Sequence, residues 1–176
     1  FREQIRQRAM KWCAANKKPD GNHYNLYTDG LKIYTTLNAK LQRHAENAMR
    51  THMASLQKVF DAHIKGNEPW KLSSNILESA KKQSVRYNEM KKKGASTEEI
   101  NKAFAAKTTM DIFTWEGEKE VFISPMDSIK HYLSFLNTGF IAIDPSTGQT
   151  KVWIGGSNFK YFQYDHVVTT TKRQVG

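Results

Sequence analysis

Apolar residues recur every three or four positions through most of this chain, and that spacing predicts helices. Phe1, Ile5, Ala9, Trp12 and Cys13 mark one face of a helix over residues 1–16, with Arg2, Arg6, Arg8 and Lys11 off that face. Lys17-Lys18-Pro19-Asp20-Gly21 ends it in a turn. Alternation then takes over. Leu31-Lys32-Ile33-Tyr34-Thr35-Thr36-Leu37, after the turn residues Thr28-Asp29-Gly30, has the β-branching and the period of a strand. Asn38 is placed to cap a helix running from Ala39 to about Gly66, with Leu41, Ala45, Ala48, Met49, His52, Leu56, Val59 and Phe60 on its apolar side.

Residues 70–106 are polar and helical. Ile76, Leu77, Ala80, Ser84 and Tyr87 predict one face of a single helix, which Lys91-Lys92-Lys93-Gly94 stops. Ser96 and Glu99, three apart, form a capping box for a short helix through Ile100, Ala103 and Phe104. The period then shortens to two. Met110, Ile112, Phe113 and Trp115, then Val121, Phe122 and Ile123, predict a β-hairpin about Glu116-Gly117. Ser124-Pro125 opens another helix, with Ile129, Leu133 and Leu136 as its buried stripe. Two apolar runs around Asp144-Pro145-Ser146-Thr147-Gly148 predict a last hairpin.

The pattern gives an α+β fold: a small antiparallel sheet (strand 31–37 with hairpins 110–123 and 139–155) packed with several helices. Its 176 residues suffice for one ordinary domain or two small ones. No apolar run approaches the ~20 residues that span a bilayer. Cys13 is the single cysteine, so no intramolecular disulfide forms. The net charge of +10 fits either a solvated basic surface or attraction to a polyanion such as nucleic acid, anionic lipid heads or an acidic polymer. The first helix likewise fits packing on its own protein or lying on a membrane surface.

Two stretches carry a family signature. Asp29-Gly30-Leu31-Lys32-Ile33-Tyr34-Thr35-Thr36-Leu37-Asn38, followed by Leu41-Gln42 and Ala45-Glu46, is the first. The second is Gly139-Phe140-Ile141-Ala142-Ile143-Asp144-Pro145-Ser146-Thr147-Gly148, then Gly155-Gly156, an aromatic-rich loop and Arg173-Gln174-Val175-Gly176. These resemble class A (bifunctional) penicillin-binding proteins, peptidoglycan glycosyltransferase/transpeptidases. They are similar to the segment joining the two catalytic domains and to the opening of the transpeptidase domain. Asn38 stands where the family usually has Asp, and both residues cap helices. The specific motifs lie in 23–49 and 139–176.

The resemblance implies a division into a linker after the glycosyltransferase domain (1–49), an inserted, mostly helical module with one hairpin (50–137), and the edge of a transpeptidase domain (138–176). It implies that the catalytic Ser-x-x-Lys falls just beyond Gly176 and the glycosyltransferase carboxylates before Phe1. It therefore implies a non-catalytic piece of a cell-wall synthase, with no catalytic, cofactor-binding or metal residue and no cofactor. The implied parent is extracytoplasmic, on the periplasmic side of the inner membrane, and anchored upstream of Phe1. The implied partners are the glycosyltransferase and transpeptidase domains of the same chain, with an envelope activator protein or peptidoglycan as a further partner of the basic module. An exposed apolar edge predicts self-association.

Other chemistry in the sequence is sparse. Ser157 follows Gly155-Gly156, but Gly-Gly-Ser is not a nucleophile elbow. Cys13 beside Trp12 suits a buried, inert thiol. His44 and His52 stand eight apart, too far for one metal. Asp127 and His131 are spaced to hydrogen-bond on one helix face. For Asp165-His166, in the loop before Arg173, the resemblance implies a structural role, since in the family this loop packs under the active site. Phe159-Lys160-Tyr161-Phe162-Gln163-Tyr164 mixes rings with a base, as in stacking on nucleic-acid bases or sugars, or in packing onto further protein. A basic nucleic-acid-binding domain is the competing class, although no docking motif for one occurs and no nucleic acid is expected as partner.

Overall fold

The computed structural model describes residues 1–168; Arg173-Gln174-Val175-Gly176 lies outside the described residues. The fold is α+β: helices with two small antiparallel sheets. The chain divides into two compact units, Phe1–Asn47 with Thr138–Gly176, and Ala48–Asn137.

In the first unit, α1 (Arg2–Ala15) has one buried residue, Cys13. The helix stops at Asn16, whose extended backbone leads into a Lys17–His23 bridge around the turn at Gly21 (φ 85°). Residues 31–37 then run without strand pairing among the described residues, against the strand expected there. The reason is the missing neighbour. A ladder needs two rows of backbone groups, and this segment is tied down only at its end: the Thr36 hydroxyl donates to the Thr150 carbonyl (2.7 Å) and the Asn38 amide to that of Lys151 (2.9 Å). The expected single sheet is accordingly two separate two-stranded ones.

Asn38 caps the long α2 (Ala39–Ile64). Its Oδ1 accepts from the amides of Lys40 and Leu41, both at 3.0 Å. The sheet of this unit is a hairpin, numbered here β1 (Phe140–Ile143) and β2 (Thr150–Ile154). Gly148, at φ 69°, lets its turn close, and Asp144 braces the turn by accepting from the Ser146 amide (3.0 Å) and hydroxyl (2.6 Å). Those bonds hold the Asp144 carboxyl at about 2, below its ordinary 3.8. Val152 and Ile154 are the buried face of β2.

The second unit takes the remainder of α2 and then α3 (Pro69–Leu72), α4 (Ser74–Gln83), α5 (Val85–Lys92) and α6 (Thr97–Ala105). The single helix expected across Ile76 to Tyr87 is two. Ser84 adopts an extended backbone (ψ 145°), closes α4 by bonding the Lys81 carbonyl, and opens α5 by accepting from the Tyr87 amide at 3.3 Å. The Ser96–Glu99 capping box forms as its spacing predicts, with bonds of 2.8 and 3.2 Å.

A hairpin of β3 (Thr108–Thr114) and β4 (Gly117–Ile123) follows, paired in register from Thr108–Ile123 to Thr114–Gly117. Last comes α7 (Pro125–Leu133), capped by Ser124. Ile100, Phe104, Met53 and Phe135 are buried in this unit. The expected stripe on the last helix shifts accordingly: Leu133 is exposed, and Phe135, past the helix end, takes the interior.

Candidate functional site

The sequence motifs of the β1–β2 hairpin converge on a knot around Trp153. Gln42, one turn into α2, behaves as a surrogate strand neighbour. Its Oε1 accepts from the Trp153 amide (2.9 Å) and its Nε2 donates to the Trp153 carbonyl (3.0 Å). The indole Nε1 donates to Asp165 Oδ2 (3.0 Å), while Asp165 Oδ1 accepts from the Val167 amide (2.9 Å). Both carboxylate oxygens are thus engaged in holding the loop. The His166 amide donates to the Gly155 carbonyl (2.7 Å), and its ring meets Tyr164 edge-on at 4.8 Å.

Glycine is required at two places in this knot because of close approach. A Cβ on Gly155 would lie 2.6 Å from Asp165 Cγ, and one on Gly139 would lie 2.8 Å from His166 Cβ. Asp165 and His166 therefore lock the end of the hairpin. Ser157 lies just past this lock, half-buried. In the neighbouring aromatic stretch, Phe159 and Tyr164 are exposed, and the Lys160 ammonium sits 5.0 Å from the Tyr161 ring centre.

In the second unit the organising residue is Gln57. Its Oε1 accepts from the Leu136 amide (2.8 Å) and, at 3.5 Å, from the Trp115 indole. Its Nε2 donates to the Ser134 carbonyl (2.9 Å) and to Asp61 (2.8 Å). Above it stack Trp115 and Phe135, 5.1 Å apart and nearly parallel, with Phe113 5.4 Å from Phe135. An open pocket of about 350 Å³ lies here, lined by Gln57, Lys58, Asp61, Trp115, Lys119 and His131, among others.

The expected Asp127–His131 pair does not form. Asp127 instead accepts from the Ser124 hydroxyl (2.6 Å) and pairs with Lys130 (3.1 Å), which holds its carboxyl below the usual range. His131 Nε2 donates to the Phe113 carbonyl (2.8 Å), and the Tyr132 hydroxyl accepts from the Phe113 amide (3.2 Å). The reason is local competition. Ser124 at the N-cap and Lys130 occupy the Asp127 carboxylate, leaving the imidazole to bind the part-buried Phe113 carbonyl of β3.

Other sequence candidates stay apart. Cys13 is buried and free, as its helix position predicts. His44 and His52 are both exposed on α2. Among the described residues, no group of three or more His, Cys, Asp or Glu side chains gathers in a metal-binding arrangement. One buried charge stands out: Lys81, 5% exposed, donates to Glu78 (2.7 Å) and Asn101 (2.9 Å), tying α4 to α6. The sequence pattern singled out neither Gln57 nor Lys81. A polar residue among apolar ones on a helix reads as surface until its partners are seen.

Among the described residues no helix is long and apolar enough to cross a membrane. No curated protein and no solved structure matches this chain. One family model does. Residues 65–136 match the penicillin-binding protein middle domain, a span that lies wholly inside the second compact unit. Over that span the chain is similar to the middle domain of penicillin-binding proteins.

Proposed function

We propose that this chain is the non-catalytic segment of a class A penicillin-binding protein that joins a glycosyltransferase domain to a transpeptidase domain, with a middle domain inserted between the two parts of the junction. Its work is positional: to set where glycan polymerisation and cross-linking occur relative to each other at the periplasmic face of the inner membrane. Its partners are then the two catalytic domains of its own chain. Peptidoglycan or an envelope activator protein would meet the middle domain.

The observation that carries this reading is the placement of the family match. The middle-domain span, 65–136, falls within a unit that interrupts another unit in sequence, and that other unit holds both class A-like motifs. Bidentate pairing of Gln42 with Trp153, and the single bond from the Asn38 amide to the Lys151 carbonyl, support it further. These bonds join the chain just before the insertion to the chain just after it, as an inserted domain requires.

Fluorescent penicillin tests the reading. The 176-residue chain is expected to give no covalent adduct, whereas the same chain joined to a complete transpeptidase domain is expected to be acylated. Acyl transfer to the 176-residue chain itself would overturn it.

A further inference from the structure

The charge is unevenly shared between the units. Residues 1–47 and 138–176 hold 13 Lys and Arg against 6 Asp and Glu, while 48–137 hold 14 against 11. The excess has a focus. An open groove of about 480 Å³ runs between α1 and the unpaired segment after Gly30, lined by Ile5, Arg8, Ala9 and Trp12 on the helix and by residues 31–34. No acidic side chain lines it. The one carboxylate on α1, Glu3, is taken by Arg6 at 2.5 Å and held at a pKa of about 2. Among the described residues, Arg8, Lys11 and Lys32 have no carboxylate partner in an ion pair.

The groove also keeps large apolar groups in water. Trp12 is 49% exposed, Ile33 48% and Tyr34 87%. Trp12 is braced by Tyr24 at 5.1 Å, so its ring is presented in a set orientation. Rings with one polar end, aliphatic side chains between them, and long cationic side chains at the margin are the composition that seats at a bilayer interface. The positive excess disfavours a second copy of the same face. The aliphatic lining of Ile5, Ala9, Leu31 and Ile33 offers little to a nucleic acid, which presents phosphates and base faces.

We propose that this groove docks the protein on an anionic phospholipid surface, with Trp12 and Tyr34 at headgroup depth and Arg8 and Lys32 on lipid phosphates. The test is co-sedimentation of the 176-residue chain with vesicles. It should pellet with phosphatidylethanolamine–phosphatidylglycerol vesicles and remain in solution with phosphatidylcholine. Arg8→Gln and Lys32→Gln should each weaken binding about five-fold, the effect of one basic residue near such a surface. Lys92→Gln removes the same charge from the other unit and should leave binding unchanged. Lipids brominated in the acyl chain should quench tryptophan emission, and Trp12→Phe should abolish that quenching. Because Arg8 and Lys32 are exposed, their variants report on binding even if the Trp12 variant perturbs packing. Failure to pellet with anionic vesicles, an equal loss from Lys92→Gln, or binding without Trp12-dependent quenching would each overturn the proposal. So would tighter, Arg8-dependent binding of a single-stranded oligonucleotide.

Discussion

Gly155 and Asp165 depend on each other in a way that neither side chain alone reveals. The loop can fold back on the hairpin only because position 155 has no Cβ, which leaves room for the Asp165 carboxylate to reach the Trp153 indole. Gly155→Ala should destabilise the first unit by about 1–3 kcal/mol, the usual penalty for forcing an atom into a filled space. Asp165→Ala also destabilises, through loss of the indole and Val167 bonds, but it removes the atoms with which the new methyl collides. The double variant should therefore be less destabilised than the two single costs combined, read from urea unfolding as a coupling energy. Strict additivity would mean that the close approach is not what requires glycine. The paired glycines are legible in the sequence as part of the second family-like motif. Their reason is not, because the obstructing side chain comes ten residues later and from a loop with no regular period.

At the level of elements, the legible parts were those specified locally. The capping box at Ser96–Glu99, the Pro125 helix start and the Gly148 turn each need only a few consecutive residues, and each forms as the sequence predicts. Two readings failed for a shared reason. Residues 31–37 have a strand's alternation, but a strand exists only if a neighbour is present, and none pairs with them among the described residues. The helix across Ser84 kept its apolar period, yet a serine that can bond both flanking turns offered the backbone a competing arrangement. Gln57 shows the opposite limit. It lies on α2 among residues of ordinary helix propensity, and its importance arises from contacts with Trp115, Ser134 and Leu136, far along the chain. Gln57→Ala should lower the stability of the second unit by about 1–3 kcal/mol, because it strands partly buried backbone groups without partners. The check is the shift in Trp115 emission during urea unfolding; an unchanged midpoint would show that water replaces the amide at no cost.

For the molecule as a whole, the sequence order is outer, inner, outer, and the account turns on the middle domain being a guest within a unit that folds without it. The geometry of the outer unit favours this. Gln42 meets Trp153, and Ile154 at the end of β2 pairs with Phe140 at the start of β1, so the chain leaving toward the insertion and the chain returning from it are held beside one another by the hairpin. The most direct test removes residues 48–137, rejoins the chain with a short Gly-Ser link, and records the indole N–H resonance of Trp153 and the hydrogen-exchange protection of the His166 amide. The account predicts that both match those of the intact chain, since the Asp165 and Gly155 acceptors remain in place. Loss of the Trp153 shift together with unprotected exchange at His166 would contradict it.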